Sequence, residues 1–283
     1  MSARRQKTPA VAKTPRRQPA GGPAPIVTLT TDFGVSSPYI AAMKGVMLSI
    51  NRDLTIVDIT HAIKAQDVRQ GALILAETAH LFPPGTIHVA VVDPGVGTNR
   101  QILWAEINGR QFVLPDNGLL GLLADRSPPT RMRAVTEPAY WLHPVSATFH
   151  GRDILAPVAA RLAAGLSPDL LGPPRDCWVE LTWPEIQIVP GKIQGSVTRI
   201  DSFGNLITDI TAEALSDVPR GDATRVVCGD HETFGIFNTY ADQPPMTLLA
   251  LIGSSGLLEL AIVGDSAQIM LGEKVGTKVA VSW

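Results

Sequence analysis

Short apolar runs alternate with helix-like segments through roughly the first 170 residues of the chain. The runs rich in β-branched residues predict strands, and the segments between them carry Leu, Ala and Met at helical spacing. The predicted strands are Ile26–Thr31, Thr55–Thr60 and Ile87–Val92, and the predicted helical segments are Met43–Ile50, Asp67–Leu81 and Asp153–Ala164. This alternation indicates an α/β domain whose mainly parallel sheet is covered on both faces. Asn108-Gly109, between Ile102–Ile107 and Gln111–Leu114, predicts a β-hairpin in the same domain.

The pattern changes after Gly172, where a proline-rich segment ends the alternation. Short β-rich runs follow, separated by Gly, Asp and Ser, and they indicate a smaller all-β, barrel-like domain. These runs are Lys192–Ile200, Leu206–Ile210, Arg225–Cys228, Thr247–Ile252, Leu257–Val263 and Lys278–Val281. The predicted organisation is a basic tail over 1–24, an α/β domain over 25–172, a linker over 173–190 and a β-rich domain over 191–283.

Composition narrows the classes of function. The chain has 283 residues, 45% of them hydrophobic and 18% charged, so it can bury a sizeable core and general disorder is excluded. A net charge of −2 with 5% aromatic residues argues against a broad nucleic-acid-binding surface. Two cysteines, Cys177 and Cys228, are too few for a disulfide framework or a thiolate zinc site. No apolar run reaches the roughly 18 residues of a membrane span, so we expect a cytoplasmic protein without a membrane partner.

Basic residues are concentrated at the start of the chain. Residues 1–22 contain six basic side chains and no acidic one, and they show no apolar period. Such a segment cannot bury enough apolar surface to pack, so we expect a disordered tail. A transit peptide and a nucleic-acid-binding arm are the alternative interpretations.

Two acidic residues stand directly after predicted strands. Asp32 follows Ile26–Thr31, and Asp93 follows Ile87–Val92. In an open parallel sheet, ligands bind beyond the carboxyl ends of the strands. A carboxylate at that edge is placed to meet a hydroxyl or a cation, although a helix N-cap or a turn also favours aspartate there.

The loop after Asp93 has the composition of a ligand-binding turn. Gly95 and Gly97 let the backbone turn tightly and direct N–H groups toward a ligand. The loop lacks the Gly-Lys-Ser/Thr ending of a phosphate-binding loop and the third glycine of a dinucleotide fingerprint. Arg100 lies in the same loop, where a surface charge is the alternative interpretation.

The histidines indicate no metal site. His150 stands just before the Ala-rich helix in ATFHGRD, and His61 follows a strand in VDITHAI. We favour a structural role for His61. The other histidines show no ligand spacing, and neither HExxH nor CxxC occurs in the chain.

In the second domain, two polar turns are candidate sites. One spans 200–205 and contains Asp201 and Asn205, and the other spans 253–259 and contains Ser254 and Glu259. Both have the composition of ordinary β-turns, so a purely structural role remains open for each.

Several short segments occur in a fixed order along the chain: TTDFG, VDITH, QDVRQGA, VDPGVGTNR, PDNGLL, TFHGRDILAP, IDSFGNLITDI and SSGLLELA. In this order they resemble the adenosine-forming S-adenosylmethionine (SAM) hydrolases, also called SAM hydroxide adenosyltransferases. These enzymes are relatives of the SAM-dependent fluorinase and chlorinase. The resemblance runs from about Pro25 to the C-terminus, so only the basic tail falls outside it.

The resemblance implies an α/β N-terminal domain, a barrel-like C-terminal domain and a homotrimer. It implies a substrate site between the N-terminal domain of one subunit and the C-terminal domain of its neighbour. The family's catalytic Asp-Arg-His set maps onto Asp93, Arg100 and His150. In the halogenating relatives the positions of Asp93, Val96 and Gly151 hold Tyr, Thr and Ser, and a long loop is inserted after the Arg100 region. Their absence here favours hydrolysis over halogenation.

The resemblance also implies a set of substrate-binding residues: Asp32, Asp93, Asp201, Asn205, Ser254, Glu259 and Val263. Asp32 matches the carboxylate that holds the ribose hydroxyls. Asp201 and Asn205 match residues around the amino-acid moiety and adenine, and Ser254 and Glu259 fall in the segment that closes over the ligand.

The chain departs from the fluorinase in its adenine-binding positions. Gln66 stands where that enzyme has a Trp, and Ile262-Val263 stands where it has Arg-Asn. Adenine recognition is therefore expected to use backbone groups near Val263.

The implied reaction is attack of water or hydroxide on the 5′ carbon of SAM, without a metal or another cofactor. Arg100 would stabilise the developing hydroxide, His150 would accept the proton and Asp93 would orient both. The alternatives are a SAM-dependent halogenase, a non-catalytic adenosine or SAM sensor, and a structural trimer.

Overall fold

The computed structural model describes residues 23–283. The predicted tail over 1–24 lies outside the described residues, apart from Pro23 and Ala24. The chain divides into two compact units, one ending at Leu181 and the other running from Thr182 to Trp283. This boundary falls within the proline-rich segment 173–190. None of the described helices combines the length and apolarity that a membrane crossing requires.

The N-terminal unit is built on a six-stranded mixed sheet in the order β2-β1-β3-β5-β4-β6. Its strands are β1 (Ile26–Thr31), β2 (Thr55–Thr60), β3 (Ile87–Val91), β4 (Ile102–Ile107), β5 (Arg110–Pro115) and β6 (Arg131–Ala134). Strands β2, β1, β3 and β5 are parallel, whereas β4 runs antiparallel to both β5 and β6. The predicted hairpin joins β4 to β5, and Asn108 and Gly109 both adopt positive φ, at 50° and 71°. The predicted α/β class is confirmed.

Helices cover both faces of this sheet. They are α1 (Tyr39–Ile50), α2 (Val68–Thr78), α3 (Gly121–Arg126) and α4 (Ala156–Ala163), with a π-helical turn over Gly151–Leu155 and single 3-10 turns at 79–81, 138–140 and 168–170. Val89 and Val91 pack into the core beneath α1 and α4, whereas Ala90 and Val92 pack into the core beneath α2 and α3. Because successive strand residues face opposite sides, coverage of both faces explains why every residue of β3 is buried.

The C-terminal unit is an all-antiparallel, nearly closed sheet. Seven strands follow the order β11-β10-β14-β8-β9-β13-β12, and β7 pairs with β8 off this path. The elements are β7 (Gln187–Val189), β8 (Lys192–Ile200), β9 (Leu206–Thr211), β10 (Arg225–Cys228), β11 (His231–Phe234), β12 (Leu248–Ile252), β13 (Leu257–Ile262), α5 (Ala267–Leu271) and β14 (Lys278–Ser282). The end strands approach each other, since Thr233 Oγ1 on β11 donates to the carbonyl of Leu248 on β12 at 2.8 Å. The predicted barrel-like all-β domain is confirmed.

The elements differ from the sequence prediction in several places. Strands β6, β7 and β11 and helices α3 and α5 were not predicted, because elements of three to six residues are too short for a period to stand out. The helix predicted over Asp153–Ala164 is also wrong in its first part, where the backbone forms the π-helical turn. The spacing of apolar residues gives no sign of where the helical hydrogen-bonding pattern changes.

Candidate active site

Asp93, Arg100 and His150 form one hydrogen-bonded cluster in the N-terminal unit. Asp93 stands two residues beyond the end of β3. Arg100 Nε donates to Asp93 Oδ1 at 2.9 Å, and Arg100 Nη2 donates to Asp93 Oδ2 at 2.5 Å. Arg100 Nη2 also lies 2.9 Å from His150 Nδ1. The structure therefore brings the three predicted catalytic residues together, with the guanidinium between the carboxylate and the imidazole.

The cluster is shielded from solvent, and this shapes its chemistry. The side chains of Asp93 and Arg100 are only 5% and 10% exposed. A guanidinium can only donate, so His150 Nδ1 accepts and the neutral ring carries its proton on Nε2. Burial and the positive charge of Arg100 hold the pKa of His150 below its ordinary value of 6.5, against the opposing effect of Asp93. His150 is consequently neutral at pH 7, and Arg100 Nη1 is engaged by neither Asp93 nor His150.

Two glycines shape the loop that carries Arg100. Gly97 has a φ of 79°, and a Cβ at this position would lie 2.4 Å from the carbonyl oxygen of Ala147. A Cβ at Gly95 would lie 3.2 Å from Arg100 Cγ. The loop thus packs its bare backbone against the segment leading to His150, and this contact explains the glycine-rich composition.

Asn117 supports the Asp93 backbone. Its Nδ2 donates to the carbonyl oxygen of Val92 at 2.8 Å, directly before Asp93. The sequence prediction included the PDNGLL segment but gave Asn117 no role. Its side chain reaches a strand end 25 residues earlier, a contact that only the folded sheet creates.

Asp32 lies at the same sheet edge as Asp93. Strands β1 and β3 are neighbours and parallel, with Thr31 paired to Val91, so the two carboxylates follow adjacent strand ends. Asp32 Oδ2 accepts a hydrogen bond from the Gln66 backbone N–H at 2.7 Å. This bond fixes one carboxylate oxygen and leaves Oδ1 for a ligand.

An aromatic trio connects the Asp32 loop to the His150 segment. The rings of Phe33, Tyr39 and Phe149 meet edge to face, with centroids 5.1 to 5.8 Å apart. Sequence analysis did not select these residues, although Phe33 directly follows Asp32 and Phe149 directly precedes His150. Packing between aromatic rings of this kind holds the two chemically important segments in a defined relation.

In the C-terminal unit, Asp201 and Asn205 build a single polar turn. Asp201 Oδ1 accepts from the backbone N–H groups of Phe203 and Asn205, both at 2.9 Å. Asp201 Oδ2 accepts from Asn205 Nδ2 at 3.0 Å. Asp201 therefore has a clear role in shaping this turn, and the amide oxygen of Asn205 is directed away from that bond.

This turn borders an apolar cavity of about 510 Å³. Asn205 and Ile262 line it, together with two aromatic side chains, Phe203 and Tyr240, that are 78% and 44% exposed. Sequence analysis did not select either aromatic residue. A signal was available for Phe203, since a large aromatic side chain within a Ser/Gly turn has no core to fill and is typical of a binding surface.

Glu259 is buried and tied to Tyr240. It is only 5% exposed, and Tyr240 Oη donates to its Oε1 at 2.5 Å. Burial raises the pKa of Glu259 above its ordinary value. Together with Asp201 and Ser254, both residues line a second cavity, of about 420 Å³.

Of the predicted binding residues in the C-terminal unit, Val263 is the one that lines neither of these two cavities. Its N–H donates to the carbonyl of Thr247 at 3.1 Å, and its own carbonyl accepts from Met246 N at 2.9 Å. Gly264 and Asp265, the next two residues, do line the apolar cavity. Backbone groups offered to a ligand in this region are therefore those after Val263.

Within residues 23–283, His, Cys, Asp and Glu side chains form no group of three or more placed to hold a metal ion.

Comparison with known proteins places most of the described chain in one family. Sequence profiles of the SAM hydroxide adenosyltransferase N-terminal and C-terminal domains match residues 27–172 and 195–280. The chain belongs to the SAM hydroxide adenosyltransferase family. Every residue of the predicted site falls within the two matched ranges of this family.

Individual relatives in this family cover nearly the full chain. An "(R)-S-adenosyl-L-methionine hydrolase" of Salinispora arenicola is 36% identical over 91% of this chain and 98% of its own length. A fluorinase of Actinopolyspora mzabensis is 28% identical over 91% of this chain and 97% of its own. A crystal structure of a protein from Thermotoga maritima superposes with a TM-score of 0.86 at 33% identity, covering 91% of this chain and 100% of that one. The SAM hydroxide adenosyltransferase family is thus confirmed, and the fluorinase is the more distant of the two named enzymes.

Proposed function

We propose that this protein hydrolyses S-adenosyl-L-methionine to adenosine and L-methionine. The observation that carries the proposal is the hydrogen-bonded cluster of Asp93, Arg100 and His150. Relatives 35–37% identical to this chain carry the hydrolase name, which supports the same reaction here.

The chemical difficulty of this reaction lies in the nucleophile. Methionine leaves as a neutral thioether, so the leaving group needs no acid. Water, with a pKa near 15.7, is a poor nucleophile at pH 7, and forming free hydroxide costs about 12 kcal/mol. A site that stabilises hydroxide and accepts its proton addresses this step directly.

The three clustered residues divide this task. The Nη1 group of Arg100 is available to stabilise a developing oxygen anion in a site shielded from water. Asp93 holds the guanidinium in place through charge-assisted hydrogen bonds. Neutral His150 is the proton acceptor, and its accepting nitrogen is Nδ1. Because Arg100 holds that lone pair in the structure, proton transfer requires Nδ1 to exchange Arg100 for the attacking water.

Substrate recognition is proposed to use both units. Asp32 would accept hydrogen bonds from the ribose hydroxyls through its Oδ1. The apolar cavity would hold adenine between the Phe203 and Tyr240 rings, with Asn205 at its polar edge. The second cavity, with Asp201 and its neighbours, would take the charged amino-acid end of the substrate.

Assembly, cofactor and location are part of this proposal. We propose a cytoplasmic homotrimer that uses no cofactor, binds neither nucleic acid nor membrane, and builds each substrate site from two subunits. The support is that the candidate residues lie on separate units of the chain. Light scattering should give three times 30.2 kDa, and a fully active monomer would contradict the assembly.

The decisive experiment follows the oxygen atom. Purified protein is incubated with each sulfonium epimer of SAM in oxygen-18 water, and the products are analysed by mass spectrometry. Attack at the 5′ carbon puts the label in the 5′-hydroxyl of adenosine. His150→Ala, Arg100→Ala and Asp93→Asn should each lower turnover by roughly 10²-fold or more. Their effects should not add, because the three residues act on one water molecule.

His80→Ala is the matched control for these variants. His80 is exposed and its side chain lies outside the cluster, so its turnover should stay at the wild-type value. A 5′-halogenated nucleoside formed with chloride or fluoride would indicate the halogenase alternative. Binding without turnover would indicate the sensor. Unlabelled adenosine would contradict attack at the 5′ carbon.

A further inference from the structure

His61 is a buried histidine that the proposed reaction does not use. It follows β2, the neighbour of β1 in the sheet, and is only 7% exposed. Its Nδ1 lies 2.9 Å from Thr31 Oγ1, and its backbone carbonyl accepts from Gly34 N at 2.8 Å. Thr31 and Gly34 are the residues on either side of the Asp32-Phe33 pair. His61 therefore contacts the Asp32-Phe33 segment at both ends, through its ring at Thr31 and through its backbone carbonyl at Gly34.

The Thr31 hydroxyl links the His61 ring to the backbone next to Asp32. Thr31 Oγ1 also accepts a hydrogen bond from the Phe33 backbone N–H at 3.2 Å. A hydroxyl that accepts from one partner can still donate to a second, so Thr31 can donate to His61 Nδ1. The imidazole ring thus fixes the peptide group between Asp32 and Phe33 through the Thr31 hydroxyl, while the His61 backbone carbonyl holds the N–H of Gly34.

A charged pair holds the other side of the ring. His61 Nε2 lies 3.1 Å from Asp58 Oδ1, in an approach that is bent away from a linear hydrogen bond. Asp58 Oδ2 in turn accepts from Lys44 Nζ at 2.6 Å. With Nδ1 accepting from Thr31, Nε2 carries a proton and faces the Asp58 carboxylate. The ring is therefore oriented by partners on both sides.

We propose that His61 is a positioning residue that sets the direction of the Asp32 carboxylate. This inference rests on the proposed function, in which Asp32 binds the ribose hydroxyls. Gln66 N fixes Asp32 Oδ2, and His61 fixes the backbone on both sides, so Oδ1 is left pointing in one direction. Two hydroxyls on adjacent ribose carbons can share one carboxylate only when that direction is correct.

The same strand contains a matched pair with a different setting. Thr28 Oγ1 lies 2.8 Å from His88 Nδ1, and both residues are fully buried. Thr28 stands inside β1, and the His88 ring packs against Phe82 and Phe112 rather than against a ligand-binding loop. This pair stabilises the sheet without contacting the Asp32 loop. Substitutions in the Thr28–His88 pair should therefore lower stability without changing the position of Asp32, which makes this pair a control for His61.

The test measures discrimination between two nucleosides. Adenosine and 2′,3′-dideoxyadenosine are titrated by calorimetry into the full-length protein and its variants. Wild-type protein should bind adenosine roughly 10- to 100-fold more tightly, which corresponds to one or two charge-assisted hydrogen bonds. Asp32→Ala should abolish this preference. His61→Phe and Thr31→Val should each reduce it at least about fivefold while leaving the dideoxyadenosine affinity unchanged.

Thr28→Val is the control variant. It removes a buried threonine hydroxyl of the same kind from the same strand, so it should lower thermal stability by a similar amount to Thr31→Val. Its preference for adenosine should equal that of the wild type. If His61→Phe does not fold, Thr31→Val breaks the same contact and gives the same readout.

Each remaining outcome overturns a distinct statement. An unchanged preference in Thr31→Val and His61→Phe, with Asp32→Ala still abolishing it, would overturn the role of His61 alone. Equal losses of affinity for both nucleosides would show that His61 is structural. A wild-type protein that does not distinguish the nucleosides would overturn the ribose-binding role of Asp32 and, with it, this inference. Hydrolysis of SAM by the wild type is scored separately.

Discussion

We expect His88, a histidine fully buried in the N-terminal sheet, to contribute strongly to the pH dependence of the free energy of unfolding. Its ring is stacked on Phe112 with centroids 4.9 Å apart and meets the edge of Phe82 at 5.5 Å. Thr28 Oγ1 lies 2.8 Å from Nδ1, and the residue is fully buried. Burial, with a smaller contribution from the positive charge of Arg110, lowers the pKa of His88 to about 4. The ring is therefore neutral in the folded protein at pH 7.

The sign of the effect follows from proton uptake. In the unfolded chain the imidazole has its ordinary pKa of 6.5, so the unfolded state binds a proton between pH 6.5 and 4 and the folded state does not. Acidification through this window therefore favours unfolding. At 1.36 kcal/mol per pH unit, the free energy of unfolding falls by about 2 kcal/mol from pH 7 to pH 5 and by about 3 kcal/mol in total.

A pair of substitutions isolates this contribution. His88→Phe combined with Thr28→Val keeps the shape of both side chains and removes both hydrogen-bonding partners together, which leaves no unpaired polar atom. Urea unfolding of wild type and double variant is followed by circular dichroism at pH 7, 6 and 5. Contributions from all other titrating groups cancel in the difference between the two proteins.

The wild type should lose about 2 kcal/mol more than the double variant between pH 7 and pH 5. Equal losses in the two proteins would refute the reasoning, because His88 would then titrate alike in the folded and unfolded states. A greater loss in the double variant would reverse the sign and refute it as well.

Two further predictions concern the candidate active site. The kcat/KM for SAM should be constant above pH 6.5 and fall below an apparent pKa that is lower than 6.5, because neutral His150 is the active form and its pKa is lowered by burial and by the neighbouring guanidinium; an acid limb that persists in His150→Ala would contradict this assignment. Gly97→Ala should lower kcat by roughly 10-fold or more, since its Cβ would collide with a backbone carbonyl in the segment leading to His150. Gly85→Ala imposes a similar positive φ in open space, so it should lower the melting temperature without changing kcat, and equal kinetics in the two variants would contradict the collision.

Where the sequence carries a period or a turn signature, it predicts the fold closely. The boundaries of β1, β2, β8 and β10 match their apolar, β-branched runs, and Asn108-Gly109 forms the predicted hairpin turn. Strand β11, with the sequence HETF, gives no such signal because its residues pair at the end of a sheet rather than fill a core. The pairing of β4 with β6 is long-range, and local patterns do not encode it.

Some features of the candidate site could likewise be predicted from local sequence patterns, and others could not. Asp32 and Asp93 were predictable because each directly follows a strand, and the edge of a parallel sheet gathers such residues. The resemblance assigned Asp93 to orient the other two residues, whereas in the structure Arg100 is the residue that contacts both partners, which lie 7 and 50 residues away. The Tyr240–Glu259 contact was equally hidden, because it joins a loop to a strand through a single hydroxyl.

The π-helical turn at Gly151–Leu155 has a consequence for how this chain can vary. A π-turn amounts to one extra residue in an α-helix. The fully apolar stretch over Ala156–Ala160 is buried in the core, and this packing fixes the rotation of α4 about its axis. At the other end of the turn, His150 must face Arg100. The extra residue makes up the difference between the rotation that the packing of α4 requires and the rotation that places His150 next to Arg100. Deleting one residue from this turn would rotate one end relative to the other by about 100°, so shortening here cannot preserve both the core and the imidazole direction.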